Sequence, residues 1–194
     1  MRATKRGESA LLLIDVLEAL RTKSVKYAVI GAMAGAVHGV IRASLDADAI
    51  VSLAVREVPA LSKDLADAGF NVELRKGAFD DPIAAALVIK DMFKNRVDLL
   101  FGLKGFDREA FDRTLQIELS GESLQVVSRE DFIAMKLYAG GPVDLRDAQQ
   151  AYYVNKDVLD AALLRKVTQK FGRDASKALE SIITEFGESQ TPSP

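Results

Sequence analysis

The sequence predicts an α+β protein, with an α+β unit up to about residue 127 and a helical unit after it. Three observations carry this. Short apolar runs of strand length recur between Tyr27 and Val127, separated by turn residues and by stretches of helical period. Beyond Val127 the period becomes helical and stays so to Phe186. A chain of 194 residues, 48% hydrophobic and 28% charged, has the length and composition of one compact soluble fold.

The elements follow in order. Leu12, Leu13, Val16, Leu17 and Leu20 give residues 9–21 one apolar helical face, leaving Asp15, Glu18 and Arg21 for solvent. Tyr27 to Ile30 is β-rich and breaks at Gly31, and Ala32 to Val40 reads as a buried small-residue helix closed by Gly39. Ala47 to Leu53 reads as a second strand and Pro59 to Ala68 as a helix stopped by Gly69. Further strands are expected at Asn71 to Leu74, Ala85 to Lys90 and Arg96 to Phe101. A hairpin pairs Leu115 to Leu119 with Ser123 to Val127 around Gly121. Ser128 with Asp131 three positions later makes a capping-box-like start for a helix through Phe132, Met135, Lys136 and Ala139. Gly140, Gly141 and Pro142 break it, and two or three more helices fill Val143 to Phe186. The expected units are thus 1–127, 128–186 and a Ser/Thr/Pro-rich tail, 187–194, read as disordered.

Composition narrows the chemistry. With no cysteine there is no disulfide, thiolate zinc site or cysteine nucleophile, and a single histidine, His38, excludes a multi-histidine metal site. A divalent metal would have to be held by carboxylates, which favours magnesium or manganese over zinc. The net charge of −2 argues against a generic polyanion binder. The longest apolar runs are core-sized, and Asp15 and Glu18 interrupt the one near the basic N-terminus, so the chain reads as cytosolic.

Three features could carry chemistry. At Gly31 a strand runs through a glycine into a helix, a junction where backbone N–H groups can approach a phosphate; the alternative is a packing turn. Asp46 and Asp48, at i and i+2 of a strand start, project from one face and repel unless a cation lies between them; the alternative is a solvated strand entrance. Asp98 interrupts an apolar strand, where an acid needs a partner, unless the strand is an edge with Asp98 facing water. His38 reads as a packing or hydrogen-bonding residue on an apolar helix rather than a catalyst.

Gly31-Ala32-Met33-Ala34, His38-Gly39 and Arg42-Ala43-Ser44-Leu45-Asp46-Ala47-Asp48 together resemble the first motif of the minimal nucleotidyltransferases, and most closely their abortive-infection AbiEii-type branch. Phe132 to Asp147, with Lys136 on one helix and Asp144-Leu145-Arg146-Asp147 starting the next, resembles that family's helical signature. The resemblance spans roughly residues 25 to 155. It implies a nucleotidyltransferase-like mixed β-sheet with flanking helices. It also implies Mg2+ or Mn2+ on Asp46, Asp48 and Asp98, with Asp98 as the base for an incoming hydroxyl. Gly31, Ala32, Arg42, Ser44, Lys136, Asp144 and Asp147 would lie around the nucleoside triphosphate. The activity implied is transfer of a nucleoside monophosphate to a hydroxyl acceptor, with RNA as a candidate acceptor and an antitoxin protein as a candidate partner. Three positions depart from the pattern: Ala32 stands where a Gly or Ser is common, Ser44 where Thr is usual, and Ala47 where a large aliphatic is common. Ala32 favours a second reading, a catalytically degenerate relative that binds nucleotide or a partner protein. For Lys136 the alternative to a phosphate contact is an ion pair with a neighbouring acid.

Overall fold

The computed structural model describes residues 1–187. In it the helix α1 (Ser9–Arg21) is followed by β1 (Tyr27–Ile30), α2 (Gly31–Val37), β2 (Asp46–Val51) and α3 (Val58–Asp67). Then come β3 (Asn71–Lys76), β4 (Ile83–Lys90), β5 (Arg96–Leu103), and the hairpin β6 (Leu115–Leu119) and β7 (Glu122–Val126). Four helices complete the described chain: α4 (Arg129–Ala139), α5 (Pro142–Asn155), α6 (Ala161–Lys170) and α7 (Arg173–Gly187). The expected helix to Val40 stops at Val37, because the Val40 N–H folds back onto the Gly35 carbonyl and the chain leaves the helix at Gly39. The expected tail began at Gly187, which instead ends α7; the rest of that tail lies outside the described residues.

All seven strands form one mixed sheet in the order β3-β4-β5-β2-β1-β7-β6. β5 is an interior strand, parallel to β2 and antiparallel to β4. Strand alternation sorts its residues by face. Val97, Leu99 and Phe101 of β5 are wholly buried, as are Ala47 and Ala49 of β2 and Leu87 and Ile89 of β4, to within a per cent. α1 packs against β2 and β5, and α3 against β3 and β4, covering this apolar face. The other face carries Asp46, Asp48, Arg96, Asp98 and Leu100, all of them half-buried.

The helical unit shares the sheet's core. Phe132, Ile133 and Leu137 of α4, Leu164 of α6 and Leu179 and Ile182 of α7 belong to one apolar cluster with the strands. α4 starts at Ser128, whose Oγ accepts the Asp131 N–H at 3.1 Å. The Asp131 carboxylate then takes the Ser128 hydroxyl and a bidentate Arg113 guanidinium, so a nearly buried acid is fully partnered. Gly140 caps α4 in the left-handed conformation, φ 65°, and Pro142 opens α5 one residue after Gly141. That tight corner sets the first turn of α5 beside the last turn of α4 and determines the surroundings of Lys136.

Candidate functional site

β2 and β5 run parallel with Asp46 opposite Arg96 and Asp48 opposite Asp98. Four ionisable side chains, three acids and one cation, therefore occupy adjoining positions on one sheet face. Asp98 is not on an edge strand, and its partner is two residues away: Arg96 donates from Nε at 2.8 Å and from Nη2 at 2.6 Å to the two carboxylate oxygens. The fork is bidentate and only 18% of the Asp98 side chain is exposed, which makes it a strong pairing. Arg96 also stands 3.9 Å from Asp46 Oδ2, a weaker contact.

Asp48 is the exception in this group. Among the described residues it has no hydrogen-bond donor and no ion pair. Its carboxyl pKa is pushed from 3.8 up to about 6, first by burial and then by the charges of Asp98 and Asp46; Arg96 and Lys136 pull the other way without cancelling the effect. The carboxylate lies over Gly31, where a Cβ would come within 2.2 Å of Asp48 Oδ2. Gly31 also has φ 64°, a conformation that side chains other than glycine's rarely adopt. The glycine at this strand–helix junction thus makes room for an acid as well as exposing backbone at the start of α2.

The remaining candidate residues fall in three places. Lys136, 9% exposed, donates to Asp144 Oδ1 at 2.7 Å and lies 2.9 Å from Asp147 Oδ2 across the α4–α5 corner. Arg42 donates to the same Asp147 oxygen at 3.2 Å. Lys136, Arg42, Asp144 and Asp147 are therefore one ion-pair network, and its lysine is the group felt electrostatically by Asp48. Ser44 turns onto its own strand start, donating to the Asp46 carbonyl at 3.1 Å. Ala32 is buried at 8% exposure and presents no hydroxyl. His38 lies just past α2 rather than within it; its Nε2 is 2.8 Å from the Val127 carbonyl, and burial lowers its pKa. Between the acid face and α4, Leu100, Leu103, Ile83, Met135 and Tyr138 line a cavity of about 410 Å3.

A divalent cation can be tested against this arrangement. Among the described residues no three ligating side chains are gathered closely enough to hold one as they stand. Asp48, a desolvated carboxylate repelled by two others and lacking a donor, is nonetheless the group that a cation would relieve, with Asp46 beside it on the same face. The donor set is all oxygen, which suits Mg2+ or Mn2+. Arg96 is the residue that sequence reasoning passed over. Its signal was present: it stands at i−2 of Asp98, on the same face of the same strand.

No family model matches the sequence, and no curated protein does. Solved structures do match in fold. An antigenic nucleotidyltransferase-like protein from Paracoccidioides brasiliensis aligns with a TM-score of 0.56 at 15% identity, covering 96% of this chain and 92% of that one. ANT(2")-Ia, in a crystal structure with adenylyl-2"-tobramycin, aligns with a TM-score of 0.52 at 16% identity, over 83% of this chain and 95% of that one. A Thermotoga maritima protein provisionally assigned as a nucleotidyltransferase gives 0.54 at 14% identity, over 72% and 89%. At such identities the likeness is one of fold, and function has to be argued from the site. The chain has a nucleotidyltransferase-like fold, a seven-stranded mixed sheet with flanking helices.

Proposed function

We propose that the protein binds a nucleoside triphosphate with Mg2+ or Mn2+ at the acid-bearing face and transfers the nucleoside monophosphate to a hydroxyl acceptor. The observation that carries this reading is Asp48, held half-buried between Asp46 and Asp98 and, among the described residues, without a donor. Such a group is costly unless a cation completes it. Asp46 and Asp48 would hold the metal, with Asp98 joining them on release from Arg96. When bound, the metal supplies charge to the triphosphate and lowers the pKa of an attacking hydroxyl. In the reaction, a bond forms between the acceptor oxygen and the α-phosphorus, the bridging α–β P–O bond breaks, and pyrophosphate leaves. The acceptor proton passes to a carboxylate of the cluster. Gly31 admits both the Asp48 side chain and the close approach of phosphate to the first turn of α2.

The finer assignment rests on the sequence motifs: an AbiEii-type toxin setting, an RNA acceptor and an antitoxin partner. The structures similar in fold include one in complex with adenylyl-2"-tobramycin, so a small-molecule hydroxyl is an equal candidate for the acceptor. A second reading, nucleotide or partner binding without turnover, is favoured by two observations: Arg96 occupies Asp98, and Lys136 is already paired. Incubating the protein with each α-phosphate-labelled triphosphate, Mg2+, and either total RNA or an aminoglycoside separates these readings. Label in either acceptor, lost in Asp46→Asn, supports the transferase. Triphosphate binding with no label transferred supports the degenerate relative.

A further inference from the structure

We infer that Arg96 is a resident cation of the acid cluster, which competes with the divalent metal and must release Asp98 before the full set of carboxylates can take one. The inference rests on the metal-and-triphosphate reading of the site and adds a control on it. Its basis is the square of side chains set by the β2–β5 register, in which Arg96 stands opposite Asp46 and next to Asp98 on the shared face. Three carboxylates and one guanidinium leave an excess of negative charge on that face. Lys136 offsets it only in part, since Asp144 and Asp147 also claim its charge. Arg96 spends its fork on Asp98 and relieves Asp48 only in part, through space.

A fixed strand-surface ion pair would have no reason to face two further acids. Here the Arg96 side chain is one-third exposed and its guanidinium lies 3.9 Å from a second carboxylate, so it can swing from the cluster without breaking the core. A triphosphate entering with its metal brings both a cation for Asp98 and an anion for the displaced guanidinium. Free metal brings only the first. The consequence is ordered loading: weak binding of metal alone, and stronger binding with triphosphate.

Calorimetric titration of Mn2+ tests this, with and without a non-hydrolysable triphosphate, on the parent protein, Arg96→Gln and Arg96→Lys. Removing the competitor should strengthen binding of Mn2+ alone on the order of tenfold in Arg96→Gln, with Arg96→Lys intermediate because it keeps the charge but loses the fork. The enhancement given by triphosphate should shrink in the same variant. Unchanged Mn2+ affinity in Arg96→Gln would make the fork a structural pair, and weakened affinity would make Arg96 a positioning residue for Asp98; either overturns the inference while leaving the site's function intact. If neither parent nor variant binds Mn2+ even with triphosphate, the functional reading fails and takes this inference with it. Circular dichroism of each variant verifies that it is folded.

Discussion

Asp48→Asn is the perturbation whose size follows most directly from the structure. The carboxyl is raised from 3.8 to about 6 in the folded chain. Below pH 4 it is protonated whether the chain is folded or not, and it costs nothing. As pH rises from 4 to 6 the unfolded chain gives up a proton that the folded chain keeps, so stability falls by about 1.4 kcal/mol per pH unit. Above pH 6 the full cost is about 3 kcal/mol, in the absence of a bound cation. Asparagine preserves the shape and removes the charge. In chelator, at pH 7.5, Asp48→Asn should therefore raise the melting temperature by about 6–12 °C for a domain of this size. At pH 4.5 the gain should drop to about 2–4 °C, since most of the cost has already been removed by protonation. Thermal unfolding followed by circular dichroism at both pH values measures it. A gain that does not grow with pH, or a loss at pH 7.5, would refute the electrostatic account of the acid cluster.

Two other expectations concern the neighbouring groups. Lys136→Ala removes the main partner of Asp147, an 8%-exposed carboxylate, and should destabilise by about 3 kcal/mol, the low end for a broken buried pair because Arg42 remains; a melting temperature within a degree of the parent would place Lys136 outside the fold's support. Gly31→Ala places a methyl where Asp48 Oδ2 lies and forces φ 64° on an alanine, so it should cost about 1–2 kcal/mol from the backbone alone, and should also abolish metal-dependent triphosphate binding; retained binding would show that Asp48 does not need that space.

Much of this was readable from residues. The leucines of α1 at helical spacing, the β-rich run ending at Gly31 and the Ser128 start of α4 each specify a local element, and each formed. The convergence of Asp46 and Asp48 follows from period-two alternation within one strand. What a single strand does not carry is its neighbours. That β5 lies between β2 and β4 depends on the whole topology, and only this makes Asp98 an interior residue opposite Asp48. Lys136 was legible as a cation close to the first turn of α5, because Gly140 and Pro142 fix the corner; which acids it would choose depended on side-chain reach. Arg96 was missed because it opens the strand and was read as its boundary, although its spacing from Asp98 carried the pairing. The helix boundary at Val37 was missed because the apolar pattern continues to Val40 after the backbone has turned back on Gly35.

On the proposed function, the acid face binds a nucleoside triphosphate through a divalent metal. Equilibrium binding of a fluorescent, non-hydrolysable triphosphate tests it most directly, measured with Mg2+, with chelator, and in Asp46→Asn and Asp48→Asn. Binding is expected in Mg2+ and is lost in chelator and in both variants, each of which stays folded. Equal binding with and without metal, or undiminished binding in the two variants, would contradict it.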